Sequence, residues 1–120
     1  MALLKVEKLS KYYEVRAGFF RSGKLIKAVD NVSFTVDSGE TVGLVGETGC
    51  GKTTLAKCIL RLVKPTSGRI IFDGTDIMKL KKRELRAFRK NIQIVFQNPY
   101  MSLNPRMTIS QIISEPIIFH

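Results

Sequence analysis

Three kinds of stretch in this 120-residue chain predict an α/β fold. Residues 28–36 alternate, with Val32, Phe34 and Val36 on one face, as a half-buried strand does. Residues 41–45 and 92–96 are short apolar runs of the kind found in buried parallel strands. Between them, Gly46-Glu47-Thr48-Gly49-Cys50-Gly51-Lys52-Thr53-Thr54 joins the first run to a stretch where Leu55, Cys58, Ile59 and Leu62 recur at helical spacing. Strand, glycine loop and helix follow one another without a gap.

That loop matches the phosphate-binding pattern G-x-x-x-x-G-K-[ST], with Gly46, Gly51, Lys52 and Thr53 in register. Its three glycines let the backbone take positive φ and pass close to a phosphate with no Cβ in the way. Successive N–H groups can then point into one concavity and form an anion nest. Lys52 brings a flexible point charge toward the outer phosphates, and the Thr53 hydroxyl is placed to ligate Mg²⁺. A helix beginning near Gly51 adds its free N–H groups and the positive end of its dipole.

Length allows at most one domain, hiding about two-thirds of its unfolded surface. No apolar run reaches the roughly 20 residues needed to span a bilayer, and the start of the chain lacks the form of a secretory signal. Cys50 in the loop and Cys58 on the helix read as two reduced cytosolic thiols, not as a disulfide framework. The formal net charge is +10. Seven cations crowd residues 79–90 with no interleaved aromatic for base stacking, so a solvated basic surface is favoured over a nucleic-acid platform.

In order, residues 3–9 suit a short strand, though Leu4, Val6 and Leu9 do not alternate cleanly. Tyr12 and Tyr13 follow. Residues 16–27 carry Gly18, Gly23 and four cations and read as an exposed loop or hairpin tip that contains Phe19 and Phe20. Asp37-Ser38-Gly39-Glu40 is a turn. Pro65 stops the first helix, residues 64–68 turn, and residues 69–72 form a strand closed by Asp73-Gly74. Residues 79–90, with Leu80, Leu85 and Phe88 against the cations, suit an amphipathic surface helix. Gln97 ends the second apolar run, and a loop runs to about Arg106. Thr108 caps a last short helix over residues 109–113, which Pro116 ends.

Together these segments resemble the first half of an ATP-binding cassette (ABC) subunit. Val32-Ser33-Phe34 before Gly39-Glu40, Pro65-Thr66-Ser67-Gly68-Arg69-Ile70 and Phe72-Asp73-Gly74-Thr75-Asp76-Ile77 are similar to that family's segments around its loop and first helix. The resemblance implies a P-loop NTPase (ABC ATPase) fragment, with an antiparallel β subdomain plus part of a parallel core sheet. Gln97 after Ile94-Val95-Phe96 looks like the family's glutamine loop, which implies a Mg²⁺ contact and a link to the membrane subunits. Tyr13 matches the aromatic that stacks on adenine, in preference to Tyr12. Phe96-Gln97-Asn98-Pro99-Tyr100-Met101-Ser102-Leu103-Asn104-Pro105-Arg106-Met107-Thr108 is similar to the oligopeptide and dipeptide importer ATPases, as is the basic insertion at 18–27. Nickel and glutathione importer ATPases share this look, and cysteine at Cys50 is common in the subgroup.

The implied site holds ATP and Mg²⁺. Gly46, Glu47, Thr48, Gly49, Cys50, Gly51, Lys52, Thr53 and Thr54 hold phosphates, Tyr13 the adenine, and Thr53 with Gln97 the metal; Lys52 and Gln97 serve the reaction. Implied partners are integral membrane permease subunits and a second ATPase subunit, at the cytoplasmic face of the plasma membrane, with no nucleic acid. The 120 residues contain no Leu-Ser-Gly-Gly-Gln signature and no apolar strand ending in Asp-Glu. The expectation is a partial nucleotide-binding domain, residues 1–120, which at most binds nucleotide, turns it over negligibly, and is either marginally stable or self-associating. The runner-up readings are a soluble cassette protein acting on nucleic acid or ribosomes, and a non-catalytic binding module.

Overall fold

The computed structural model describes residues 2–15, 24–47 and 51–120. It forms two compact units, Met1–Leu80 and Lys81–His120. The first unit is built on an antiparallel sheet in which β2 (Lys24–Asp37) lies beside β1 (Ala2–Val15), β1 beside β3 (Ser67–Phe72), and β3 beside β4 (Thr75–Asp76). Helix α1 (Lys52–Ile59) and a short 3₁₀ turn (Ile77–Lys79) complete it. Its core is Val6, Leu9, Val29, Leu55, Cys58, Leu60, Ile70 and Ile77.

Strand β1 is much longer than the predicted 3–9 segment, and its irregular apolar spacing has a physical cause. Val6 and Leu9 are three residues apart, so plain alternation would put them on opposite faces. Lys8, between them, has a left-handed φ of 48°, and the register with β2 shifts between Val6 and Leu9. This bulge turns both side chains into the core, where both are buried. Asn31 in β2 repeats the device with φ 50° between Val29 and Val32. At each bulge a serine hydroxyl of the opposite strand accepts the backbone N–H: Ser33 Oγ from Lys8 (2.8 Å) and Ser10 Oγ from Asn31 (2.9 Å). The alternation of Val32, Phe34 and Val36 stands, each being half-buried between exposed neighbours.

Helix α1 stops at Ile59, well before Pro65 and before Leu62, which is exposed. The stop is a Schellman closure: Leu62 N–H donates to Lys57 O (2.9 Å) and Arg61 N–H to Cys58 O (3.0 Å). Arg61 takes the left-handed position usually given to glycine, with φ 54°. Its guanidinium donates to Ile77 O (3.1 Å) and Leu80 O (2.6 Å), which ties the helix end to the 3₁₀ turn. Asp73 and Gly74 have φ of 48° and 80°, a two-residue type I′ connection that pairs Phe72 with Thr75.

Two predicted strands are not strands here. Residues 41–45 and 92–96 have no ladder partner among the described residues, and Val45 and Val95 are 95% and 84% exposed. An apolar run becomes a strand only where a neighbour accepts its N–H and C=O groups, and composition cannot supply that neighbour. In the second unit, the predicted surface helix is α2 (Lys82–Phe88), shorter than 79–90, with Phe88 buried. Helix α3 (Ile109–Phe119) is longer than predicted and runs through Pro116. The ring withdraws only its own N–H, while Pro116 O still accepts from His120 N–H (3.1 Å). Thr108 caps it as expected: its hydroxyl accepts from Gln111 N–H (3.2 Å) and Gln111 Oε1 accepts from Thr108 N–H (2.9 Å).

Candidate nucleotide-binding site

The glycine-rich stretch runs into α1 at Gly51. Gly51 is the N-cap of α1 with φ 96°, a conformation that only glycine takes without strain. A Cβ there would lie 1.9 Å from the carbonyl oxygen of Ala28 in β2, so the sheet itself leaves no room for a side chain. No side chain caps α1, and no acidic residue stands in its first turn. Its leading N–H groups and positive dipole end are left for an anion. Leu55, buried on the inner face of α1, anchors the helix, and its N–H donates to Gly51 O (2.9 Å).

Lys52 opens the helix, and its ammonium donates to the carbonyl oxygens of Gly46 and of Glu47, the latter at 3.1 Å. A donor-only cation thus lies along the inside of the loop, anchored by groups that a phosphate oxygen can replace. Thr53 is exposed and Thr54 half-buried on the first turn. A cavity of about 420 Å³ opens beside them, between Lys27, Ala28 and Asp30 of β2 and Gly46, Gly51 and Lys52. A larger cavity of about 840 Å³ lies over the bulges of the sheet, but its polar groups already serve the fold. Ser10 and Ser33 hold the bulges, and Glu7 pairs with Arg69 at 2.6 Å. Size alone does not make it the site.

Of the predicted residues, the fold brings together Gly46, Glu47, Gly51, Lys52, Thr53 and Thr54. Thr48, Gly49 and Cys50 lie outside the described residues, as do Phe19, Phe20 and most of the basic insertion. Gln97 is an exposed bend in the second unit. The two tyrosines differ. Tyr12 is locked, its hydroxyl donating to Asp30 Oδ1 (2.6 Å) with Lys27 Nζ 5.6 Å from its ring. Tyr13 is 38% exposed and has Lys11 Nζ 4.9 Å from its ring centroid. Each ring has a lysine ammonium over it, and Tyr13 is the more exposed of the two. The closeness of Ala28 to Gly51 was not legible in the sequence, because residues 23 positions apart meet only through the tertiary fold.

Comparison with known proteins gives the same picture. The ABC transporter family pattern matches residues 29–115. A probable peptide ABC transporter ATP-binding protein of Sinorhizobium fredii is 57% identical over 97% of the chain and 33% of its own length. An oligopeptide transport ATP-binding protein of Bacillus subtilis is 50% identical over 98% of the chain and 36% of its own length. The chain therefore spans about a third of the length of these curated relatives. Among solved structures, a dimeric ATP-binding cassette in a post-hydrolysis state with ADP and Pi superposes with a TM-score of 0.79 at 30% identity, over 97% of this chain and 47% of that one. A nucleotide-free cassette from an ABC transporter superposes with a TM-score of 0.64 at 26% identity, over 96% and 46%. No helix among the described residues is long and apolar enough to cross a membrane. With the family pattern covering residues 29–115 and Gly51 at a position that leaves no room for a side chain, the chain belongs to the ABC transporter family.

Proposed function

We propose that this chain is the ATP-holding part of an importer's ATP-binding subunit, in which ATP hydrolysis is coupled to uptake of oligopeptides or dipeptides. The observation that carries the reading is the uncapped start of α1 behind Gly51, with the Lys52 ammonium laid inside the loop. Such a cradle suits a polyphosphate: the N–H groups donate to its oxygens and Lys52 exchanges backbone carbonyls for phosphate oxygens. Thr54 lies by the inner phosphate. Tyr13 offers its exposed ring for adenine, and the Thr53 hydroxyl would hold Mg²⁺, which when bound neutralises charge on the phosphates. The peptide substrate is supported by the names of the relatives; the partners in this reading are membrane permease subunits and a second ATPase subunit, at the cytoplasmic face of the membrane. Nucleic acid is not among the proposed partners.

Titration of the chain with a fluorescent ATP analogue tests the reading. Lys52→Ala is expected to weaken binding at least tenfold, because water does not replace a fixed inward point charge. Equal affinity for the two proteins would remove the basis of the proposal.

A further inference from the structure

Lys11 of β1 stands beside the ring proposed for adenine. Lys11 and Tyr13 are two residues apart in the strand, so their side chains leave it on the same face. The Lys11 ammonium lies 4.9 Å from the Tyr13 ring centroid. Lys11 is half-buried, and among the described residues no carboxylate pairs with it. This face is the one on which α1 packs. Leu9, two positions before Lys11, is buried with Leu55 and Cys58 of the helix, and the Lys11 charge acts on the Cys58 thiol. The register of β1 with β2 also shifts at this point. Lys11 pairs with Val29 and Tyr12 with Lys27, which leaves Ala28 as an extra residue in β2. Ala28 is the residue whose carbonyl oxygen would lie 1.9 Å from a Cβ at Gly51. The bulge therefore seats the start of α1 opposite the step from Lys11 to Tyr12, and brings the phosphate cradle and Tyr13 to one side of the sheet.

We infer that Lys11 is a positioning residue for the purine base: its ammonium holds one face of the Tyr13 ring and leaves the opposite face to the adenine of ATP. This rests on the nucleotide reading of the loop and extends it from the phosphates to the base. A cation over an aromatic face is attracted by the ring quadrupole, which fixes the tilt of the ring before a nucleotide arrives. A flat base then stacks on the other side, and less side-chain freedom is left to lose on binding. The neighbouring tyrosine is held differently. Tyr12 donates its hydroxyl to Asp30 Oδ1 (2.6 Å), and Lys27 Nζ lies farther from its ring, at 5.6 Å. Lys11 acts through the ring, so its effect falls on the base, whereas the effect of Lys52 falls on the phosphates.

Displacement of a ribose-labelled fluorescent ATP from the chain tests this, with unlabelled ATP and inorganic tripolyphosphate as competitors. Lys11→Met is expected to weaken ATP about three- to fivefold and tripolyphosphate by less than about 1.5-fold. Lys11→Arg keeps a cation and should restore most of the ATP affinity. In a Tyr13→Ala background the loss from Lys11→Met should disappear, because the ring through which it acts is gone. Equal loss for the two competitors would overturn the inference, and so would the same loss with and without the Tyr13 ring, since the charge would then act on the phosphates directly. Unchanged ATP affinity in Lys11→Met would overturn it as well. Lys64→Met makes the same charge change at an exposed position and should have little effect; a loss equal to that of Lys11→Met would mean net charge alone and would also sink the inference. Retained tripolyphosphate binding shows that a variant is folded, and Lys11→Gln carries the same test if Lys11→Met is not. Lys52→Ala, measured alongside, keeps the two proposals apart. If it binds ATP as the unaltered chain does, the nucleotide reading itself fails; if it weakens both competitors while Lys11→Met weakens neither, only the role of Lys11 fails.

Discussion

Gly51 and the carbonyl of Ala28 are packed so closely that a single added carbon would sit 1.9 Å from that oxygen. The start of the phosphate loop's helix is therefore seated on β2, and the loop inherits its position from the sheet. Gly51→Ala is expected to combine this clash with a left-handed φ of 96° and to destabilise the chain by about 1–3 kcal/mol or more. Nucleotide binding should fall with it. Urea melts with and without an ATP analogue check both effects. A variant that keeps full stability would show that the loop can move off Ala28.

The tyrosine pair gives a second expectation. Tyr13→Ala should weaken binding of an ATP analogue by the ~1–3 kcal/mol typical of a base stacked on an aromatic ring. Tyr12→Phe removes a 2.6 Å hydrogen bond to Asp30 but no ring, and should leave affinity within about twofold while lowering the melting temperature. The reverse pattern would move the adenine to Tyr12.

Arg61 offers a test of the fold. Its guanidinium holds Ile77 O and Leu80 O from a left-handed backbone position. Hydrogen bonds from charged groups contribute about 1.5–3 kcal/mol. Arg61→Ala keeps the unfavourable φ and loses both bonds, so a loss of about 2 kcal/mol or more is expected in denaturant unfolding. Arg61→Gly relieves the backbone and should recover part of it.

The acid limb of stability is expected to involve Glu7. The Lys5 ammonium and the Arg69 guanidinium, bonded to its carboxylate, hold its pKa below the ordinary range. Folding thus favours the ionised form. The contribution is present above the unfolded carboxylate pKa of about 4.3 and is lost as pH falls from there through the folded value. Glu7→Gln should accordingly lower the melting temperature at pH 7 and change it little at about pH 2. Equal effects at both pH values would mean that packing, not charge, is what the substitution removes.

Cys58 is fully buried, and burial pushes its thiol pKa up against the opposing pull of the Lys11 charge. The thiolate is the reactive form. In a Cys50→Ser background, Cys58 should react with a thiol reagent only as fast as the chain opens, with the rate rising through the unfolding transition. Rapid labelling under native conditions would contradict the packing of α1 on the sheet.

The local chemistry of this protein is written in its sequence. Gly46, Gly51, Lys52 and Thr53 fall in a pattern whose spacing is covalent, and Thr108 with Gln111 forms its cap within four residues. Side-chain alternation gives Val32, Phe34 and Val36 one face because a strand's period is two. Elsewhere the outcome depended on partners distant in the chain. Whether residues 41–45 and 92–96 pair as strands depends on neighbours that pair with their backbone N–H and C=O groups, and apolar composition is silent on these. The bulges at Lys8 and Asn31 break the alternation that sequence reading relies on, and they hold because Ser33 and Ser10 lie opposite to take the displaced N–H groups. Helix α1 ends at a left-handed arginine because carbonyls 16 and 19 residues away receive its guanidinium. Local propensity reaches only a few residues along the chain, and these choices were made by groups brought together when the sheet and the helix packed.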